Sequence, residues 1–158
     1  MGIEKYESEV KFITSPQESV YIHLSNLKNL EPLFDPKRLS ELKEKYPNTP
    51  DIKLDNFKAT EDECSFSISP VGNIGVEIIE REPSKLIKLT GNKSLPFQVH
   101  CWIQLLPVDQ SNSKVKITLH ADLSPMIKML VGKHLKNGVN QIAEALSKLQ
   151  YAGAAVSI

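Results

Sequence analysis

Side chains able to carry out catalysis are few in this sequence, and no short catalytic motif joins them. The 158 residues include four histidines and two cysteines. There is no GxSxG or HExxH motif, and His100, which directly precedes Cys101, is expected on the opposite face of the strand from the thiol. Cys64 and Cys101 stand in separate strand-like segments without CxxC spacing, so we expect two buried free thiols. The missing motifs count against an enzyme without excluding one.

Two histidines border helical patterns, where they could meet a ligand. His134 lies at the edge of the apolar stripe of the last predicted helix, and His23 holds a comparable place on the first helix. An imidazole there could orient a ligand by a hydrogen bond or act as a general acid or base. The simpler interpretation is a half-exposed ring without function. The sequence does not show whether the two rings converge.

The other two histidines and the single tryptophan fall on the polar side of two predicted strands. His100 and Trp102 alternate with apolar residues in one strand, and His120 does so in the next. An outward tryptophan among polar neighbours would suit a surface that docks another protein. Alternatively, it packs across the strands against Thr118 and nearby lysine stems. No carboxylate or thiolate stands at a spacing that would complete a metal site, so we expect no metal.

Composition and charge exclude several classes of protein. Hydrophobic residues make up 41% of the chain and charged residues 24%, which is ordinary for a globular domain and too apolar for a disordered chain. Nineteen Lys and Arg balance nineteen Asp and Glu, so the basic surplus of a nucleic-acid-binding protein is missing. No apolar run approaches the roughly 20 residues that span a bilayer. Because the charged start lacks the apolar core of a signal peptide, we expect a cytoplasmic protein without membrane insertion.

The chain begins with a predicted strand over residues 3–14, where polar and apolar residues alternate with a period of two. Four alternate side chains are expected on one face: Tyr6, Ser8, Val10 and Phe12. The strand ends at residues 15–18 (SPQE), which have the form of a capping box with Pro at the first helical position. A short helix follows, and Asp35-Pro36 opens a second one by the same device.

Six further strands are predicted between Ile52 and Leu123. Their bounds are 52–59, 63–70, 74–81, 85–91, 96–107 and 113–123. The breaks between them are rich in turn-forming residues and too short for crossover helices, so neighbouring strands must be antiparallel. Residues 72–75 (GNIG) match the GxxG motif of a nucleic-acid clamp, but they join two strands and have no basic neighbour. We predict a tight turn there, in which Gly-Asn supplies a positive φ.

The last two predicted strands have the clearest faces. One face is apolar in both, with Phe97, Val99, Cys101, Ile103 and Leu105 in one strand and Val115, Ile117, Leu119, Ala121 and Leu123 in the other. A sheet with an apolar face must cover that face. The final helix, which Ser124-Pro125 caps and which runs to about Gln150, is roughly 40 Å long and can do so.

The apolar stripe of that helix contains an interior glycine. At about 100° per residue the stripe comprises Ile127, Val131, Leu135, Gly138, Ile142, Ala145, Leu146 and Leu149. A glycine in mid-helix costs up to about 1 kcal/mol relative to alanine, and the small residues Cys101 and Ala121 lie on the facing strands. The missing side-chain volume predicts a ligand cavity. The alternative is close packing of helix and sheet at Gly138.

The order of one strand, two helices, six antiparallel strands and one long helix resembles the helix-grip fold of the START-like (SRPBCC) superfamily. Four segments carry the resemblance, namely SPQESVY (15–21), LSNLKNL (24–30), PVGNIG (70–75) and LSPM (123–126). It covers residues 3–150 and looks most like the small single-domain bacterial members. The resemblance implies an α+β fold in which a seven-stranded, curved antiparallel sheet grips the C-terminal helix. The superfamily includes lipid-transfer domains, polyketide cyclases and dehydratases, and co-chaperones, so the fold alone does not select a function.

The residue pattern and the resemblance together predict one domain over residues 1–150 and a frayed tail over 151–158. They also predict a binding protein without a cofactor. The ligand would be an apolar or amphipathic small molecule held between the sheet and the final helix, as in lipid transport. The expected lining is Val99, Cys101, Ile103, Ile117, Leu119, Ala121, Ile127, Leu130, Gly138 and Ile142, with His134 as the polar contact. The alternatives are an enzyme of the cyclase or dehydratase type using His134, His23 or Tyr21, and a partner-binding module using the Trp102 face.

Overall fold

The computed structural model describes residues 2–34, 53–69, 72–91 and 97–148, together with Lys37, Ser40 and Glu44. Within these ranges one antiparallel sheet is formed by β1 (Gly2–Glu7), β2 (Lys11–Ile13), β3 (Lys53–Ala59), β4 (Glu63–Ser69), β5 (Gly72–Glu82), β6 (Leu86–Gly91), β7 (Val99–Pro107) and β8 (Ser113–Leu123). The spatial order is β1-β8-β7-β6-β5-β4-β3, and β2 also pairs with β8. The helical elements are α1 (Gln17–Leu24), a 3-10 helix (Leu27–Phe34) and the C-terminal helix (Pro125–Ser147).

The curved antiparallel sheet and the long C-terminal helix confirm the predicted α+β helix-grip architecture. Of the second predicted helix, Lys37, Ser40 and Glu44 are helical, and its other residues lie outside the described part of the chain. The tail over 151–158 also lies outside it. The division into a domain and a tail therefore stays a prediction.

The two predicted helix starts have different outcomes. The Ser124 hydroxyl accepts a hydrogen bond from the backbone N–H of Ile127 at 3.3 Å, which confirms the cap of the C-terminal helix. In α1, Pro16 itself is the N-cap and no side chain caps the helix. The predicted capping box is wrong because Ser15 stands one residue before the cap. Ser15 is buried, and its carbonyl accepts a hydrogen bond from the Ser113 hydroxyl at 2.8 Å.

A β-bulge divides the first predicted strand. Between Glu7 and Lys11 the chain advances four residues, while the paired segment of β8 advances three, from 118 to 115. Ser8 begins the bulge: its backbone N–H donates to the carbonyl of Ile117 at 2.8 Å, and its hydroxyl accepts from the N–H of Ile117 at 2.8 Å. The serine thus continues the ladder where regular pairing stops.

The extra residue reverses which side chains face the core. Ile13 is buried and Lys11 reaches the C-terminal helix, whereas Val10 and Phe12 are 46% and 63% exposed. The predicted common face is therefore wrong for Val10 and Phe12. Tyr6, ahead of the bulge, packs against the core.

The predicted turn at Gly72–Gly75 is also wrong. Strand β5 begins at Gly72, which pairs with Ile68 of β4. Among the described non-glycine residues, positive φ angles occur at Asn56 and at Ser84, and Asn73 is extended within the strand. Residues 70–71, between β4 and β5, lie outside the described ranges. The two glycines are strand residues here.

The core lies between the inner face of the sheet and its helical cover. The C-terminal helix packs on β8, β1 and β2, α1 packs on β7, and the 3-10 helix packs on β3 and β4. The core consists of Ile13, Val20, Leu24, Leu27, Cys64, Ile87, Leu89, Ile103, Leu105, Val115, Ile117, Val139, Ala143 and Leu146. The C-terminal helix and the 3-10 helix therefore cover opposite margins of the sheet, with the inner face of β5, β6 and β7 between them.

Candidate ligand-binding site

The apolar faces of β7 and β8 coincide, as their alternation predicts. Three pairs of predicted site residues lie directly opposite each other, namely Val99–Ala121, Cys101–Leu119 and Ile103–Ile117. Directly opposed residues of an antiparallel pair point to the same side of the sheet. Ile103 and Ile117 belong to the core, so all six residues are on the inner face. Ile103, Ile117 and Ala121 are buried there.

Between these buried residues the cover of the inner face is incomplete. Val99, Cys101 and Leu119 are half-buried, and so are Val76 and Ile78 on β5. Ile78 pairs with the β6 residue that in turn pairs with Cys101, so the two lie on one line across the sheet. The β6 residue between them, Leu89, is buried. We call the five half-buried apolar residues of this face, Val76, Ile78, Val99, Cys101 and Leu119, the inner strip.

Cys101 combines a desolvated thiol with remaining accessible surface. Burial raises the pKa of this thiol to about 12, although the side chain keeps enough accessible area to count as half-buried. The thiol is protonated at neutral pH, so it offers apolar surface and is not a nucleophile. Cys64 is buried, with its pKa raised to about 11, and both cysteines are free as predicted.

The C-terminal helix turns one flank toward the bulge. Asn140 accepts a hydrogen bond from the backbone N–H of Glu9 at 2.8 Å, and the Glu144 carboxylate lies 3.1 Å from the Lys11 ammonium. Since the bulge lies on the β1–β2 margin, the opposite flank of the helix points toward β7 and the strands beyond it.

That opposite flank, roughly half a helical turn away, carries the predicted site residues Ile127, Gly138 and Ile142. A Cβ atom built on Gly138 would have no described atom of another element within 4 Å. Ile142 is 45% exposed, and Ile127 is half-buried. These values disfavour close packing of the described helix and sheet at Gly138.

The buried face of the helix agrees with the predicted stripe only in part. Val139, Ala143, Ala145 and Leu146 form it, at 5% exposure or less, so the stripe is confirmed at Ala145 and Leu146. At Gly138 and Ile142 the stripe is displaced from the buried face by about one residue of rotation, and their place in a ligand lining stays a prediction. Residues 138 and 142 and residues 139 and 143 are both apolar pairs at helical spacing, so periodicity could not choose between them.

Two predicted site residues of the helix, Leu130 and His134, have side chains outside the described part of the structure. His23 is half-buried on α1. Burial lowers the pKa of its imidazole, and a hydrogen bond with the backbone of Asn29 partly opposes this. Tyr21, the other candidate on α1, packs against the core. The convergence of His23 with His134 stays a prediction.

A polar group that the sequence analysis missed lies where β1 meets the C-terminal helix. The Lys128 ammonium is 2.8 Å from the Glu4 carboxylate, and a Cβ on Gly132 would lie 3.6 Å from the Tyr6 hydroxyl. Burial and then the charge of Glu4 raise the pKa of Tyr6, while Lys128 acts against them. Tyr6 pairs with Leu119, so its phenol borders the inner strip. The alternation of β1 could have indicated Tyr6.

The opposite, outer face of the sheet holds the tryptophan cluster. Trp102 pairs with Thr118 of β8. The centre of its ring lies 4.6 Å from that of His120 and 6.0 Å from that of His100. The Lys88 ammonium lies 5.1 Å from the centre of the Trp102 ring. The cation over Trp102 thus comes from β6. His120 Nε2 is buried and has no hydrogen-bond partner. These contacts describe cross-strand packing, and a protein contact through the Trp102 face stays a prediction.

A separate open depression of about 440 Å³ lies on β3, β4 and β5 and includes none of the predicted site residues. It is lined by Asn56, Lys58, Ser65, Phe66, Ser67, Asn73, Ile74 and Gly75.

No group of three or more His, Cys, Asp or Glu within the described ranges could hold a metal ion. Among the described helices, none combines the length and apolarity needed to cross a membrane.

Comparison with known proteins supports the fold without naming a family. No protein-family model and no curated protein matches the sequence. A norcoclaurine synthase from Thalictrum flavum, solved with a transition-state analogue, has a TM-score of 0.64 at 13% identity, over 98% of this chain and 97% of that one. A protein from Thermus thermophilus has a TM-score of 0.58 at 14% identity, over 96% and 99%. A protein from Thermobifida fusca has a TM-score of 0.54 at 14% identity, over 91% of each chain. At these identities the likeness is one of fold.

Proposed function

We propose that this protein binds an apolar or amphipathic small molecule between the inner face of the sheet and the C-terminal helix, without a cofactor. The observation that supports this most directly is the inner strip, where Val99, Cys101 and Leu119 remain accessible within the fold. The facing helix flank adds to it, since Gly138 contributes no side chain and has open space beside it. Small-molecule sites are typically concave and apolar with few polar groups.

Affinity in such a site comes from removing apolar surface from water, at about 25 cal/mol per Å². One or two hydrogen bonds would then fix the orientation of the ligand, with His134 as the predicted contact and the Tyr6 hydroxyl as a second one at the β1 margin. The proposed lining is Val99, Cys101, Ile103, Ile117, Leu119, Ala121, Ile127, Leu130, Gly138 and Ile142, to which the half-buried Val76 and Ile78 are added.

The first test is native mass spectrometry of gently purified protein, followed by organic extraction. We expect extra mass that is released as an apolar compound. The second test uses N-phenyl-1-naphthylamine, a neutral apolar dye that fluoresces in apolar surroundings. We expect wild-type protein to bind it and Gly138→Leu to lose binding while remaining folded, since the leucine would fill the site.

Gly138→Ala is the matched control for the glycine. Its Cβ would meet no described atom of another element within 4 Å, so it should keep dye binding and gain up to about 1 kcal/mol of stability. If folded Gly138→Leu binds the dye as tightly as Gly138→Ala, the site is not between the sheet and this helix. Loss of folding in Gly138→Leu would favour close packing at this position.

An enzyme of the cyclase or dehydratase type is the second candidate. The fold similarity to norcoclaurine synthase favours it, because that enzyme has been solved with dopamine and hydroxybenzaldehyde bound. In this chain His134, His23 or Tyr21 would move protons on a carbonyl substrate. An NMR titration that returned an unshifted value near 6.5 for the pKa of His134 would argue against this role, since a catalytic imidazole in an apolar site is expected to be perturbed.

A further inference from the structure

One row of the sheet connects the phenol of Tyr6 with the inner strip. Tyr6 of β1 lies opposite Leu119 of β8, and Leu119 lies opposite Cys101 of β7. All three residues are half-buried, and directly opposed residues share a face of the sheet. Adjacent strands are about 4.8 Å apart, so the row runs roughly 10 Å from a polar end at Tyr6 to an apolar end at Cys101.

The hydroxyl of Tyr6 is available to a ligand. Within the described part of the chain it neither donates nor accepts a hydrogen bond, yet it keeps accessible surface, because the buried side-chain atom without a partner there is His120 Nε2. The C-terminal helix passes the phenol at Gly132, where a Cβ atom would lie 3.6 Å from the hydroxyl oxygen. A side chain larger than alanine would reach the hydroxyl from that position, whereas glycine leaves the space free.

The charges beside the phenol disfavour an anionic ligand. Glu4, two residues earlier on the same face of β1, lies 2.8 Å from the ammonium of Lys128. The two charges do not cancel at the phenol: after burial, the charge of Glu4 raises the pKa of Tyr6, and the smaller opposing effect of Lys128 lowers it. The hydroxyl is therefore protonated at neutral pH and can donate a hydrogen bond. A negative group beside it would be repelled by Glu4 more than it is attracted by Lys128.

We infer that the ligand is a neutral amphipathic molecule with a carbonyl or hydroxyl oxygen, which accepts a hydrogen bond from the Tyr6 hydroxyl while the apolar part of the molecule covers Leu119 and Cys101. The inference rests on the proposed function, because it assigns the polar end and the charge of the ligand in the same site. It makes Tyr6 a residue that determines specificity, and it places Glu4 as the residue that excludes acids.

Two neutral dyes test the role of Tyr6. Prodan is a naphthalene dye with a ketone carbonyl, and N-phenyl-1-naphthylamine has no oxygen. We expect Tyr6→Phe to weaken prodan binding about threefold to tenfold, the value of one hydrogen bond, and to leave binding of N-phenyl-1-naphthylamine unchanged. Prodan bound to Tyr6→Phe should also emit at shorter wavelength than prodan bound to the wild type, because the hydrogen bond to its carbonyl is lost. Tyr6→Phe should unfold at the same urea concentration as the wild type, since the hydroxyl has no partner within the described fold.

A charged dye tests the role of Glu4. Anilinonaphthalene sulfonate has the skeleton of N-phenyl-1-naphthylamine with a sulfonate added, so we expect the wild type to bind it less tightly than the neutral dye. Glu4→Gln should tighten binding of the sulfonate dye about twofold to fivefold and leave binding of the neutral dye unchanged. Glu7→Gln is the matched control, because Glu7 lies on the same strand but pairs with Lys116 and Lys5 on the outer face, and it should change neither.

The outcomes separate this inference from the proposed function. If the wild type binds neither neutral dye, the proposed function fails and the inference fails with it. If both neutral dyes bind and Tyr6→Phe binds prodan as tightly as the wild type does, the proposed site stands and the role of Tyr6 is wrong. Tighter binding of the sulfonate dye than of N-phenyl-1-naphthylamine by the wild type would overturn the neutral charge of the ligand.

Discussion

The ammonium of Lys11 on β2 lies 3.1 Å from the carboxylate of Glu144 on the C-terminal helix, and the two side chains are 22% and 6% exposed. Lys11 reaches the helix because the bulge at Ser8 turns it inward. One helical turn earlier, Asn140 accepts the Glu9 backbone N–H at 2.8 Å. These two contacts attach the bulge to one flank of the helix, and Gly138 lies on the opposite flank.

Removing the charge of Glu144 should destabilise the fold. Glu144→Gln leaves the Lys11 ammonium with a neutral amide at its buried partner and with the exposed Glu9 carboxylate at 3.3 Å, and hydrogen bonds to charged groups contribute about 1.5–3 kcal/mol. We expect a loss of this size in the free energy of unfolding, measured by urea denaturation. Lys148→Ala is the control, because Lys148 is 56% exposed and 3.5 Å from Glu144, and should cost less than about 1 kcal/mol. Equal losses of unfolding free energy in both variants would show that the Lys11–Glu144 contact stabilises the fold no more than the exposed Lys148–Glu144 contact does.

The hydroxyl of Ser8 should contribute more to the free energy of unfolding than the hydroxyl of a serine whose hydrogen bond is exposed. Ser8→Ala removes the acceptor of the buried Ile117 N–H, and an unpaired buried donor costs about 1–3 kcal/mol. We expect that loss in unfolding free energy together with faster hydrogen exchange at the Ile117 amide. Ser25→Ala removes an exposed hydrogen bond to the Ile22 carbonyl and should change stability by about 0.5 kcal/mol or less. Unchanged exchange at Ile117 would contradict the role of the bulge serine.

The two thiols should make stability depend on alkaline pH. Burial raises the pKa of Cys64 to about 11 and that of Cys101 to about 12, from an ordinary value of 9.0. A raised folded-state pKa means that the contribution of each thiol to stability is complete below pH 9 and is lost as the pH rises toward the folded-state values. We expect the unfolding free energy of Cys64→Ala/Cys101→Ala to fall less steeply above pH 9 than that of the wild type. Parallel curves would show that the thiols are not desolvated.

Glu7 should titrate at unusually low pH on the outer face. Hydrogen bonds from Lys116 and then from Lys5 lower the pKa of its carboxyl from 4.5 to about 2, and the ammonium–carboxylate distances are 2.8 and 2.7 Å. Because the folded-state value is depressed, its contribution to stability is present above pH 4.5 and is lost as the pH falls toward 2. Carboxyl NMR titration is the measurement.

A matched pair of lysine variants tests the cause of that shift. Lys116→Gln should move the pKa of Glu7 back toward its ordinary value. Lys114→Gln should leave it unchanged, because the Lys114 ammonium lies over the Phe12 ring instead. A shift of the same size in both variants would mean that general surface charge, rather than the direct contact with Lys116, lowers the pKa.

The features that depend on neighbours along the chain were predictable from the amino-acid pattern. Side-chain direction in a strand follows from even or odd position, so alternation alone placed Cys101 and Leu119 on one face. The start of the C-terminal helix was equally predictable, since Ser124 caps the amide of Ile127 three residues on. The helix-grip order followed because short turn-rich breaks allow only antiparallel neighbours.

The details of the candidate site were not predictable in this way, because they depend on hydrogen bonds between residues that are far apart in the chain. The bulge is held by Ser8 and Ile117, which are 109 positions apart, and the helix flank by Glu9 and Asn140, which are 131 apart. Alternation assigned Phe12 to the same face as Tyr6 since a bulge adds a residue without changing the local pattern. The helix offered two apolar flanks of similar composition, and docking on the bulge selected Val139 for the core and left Gly138 open.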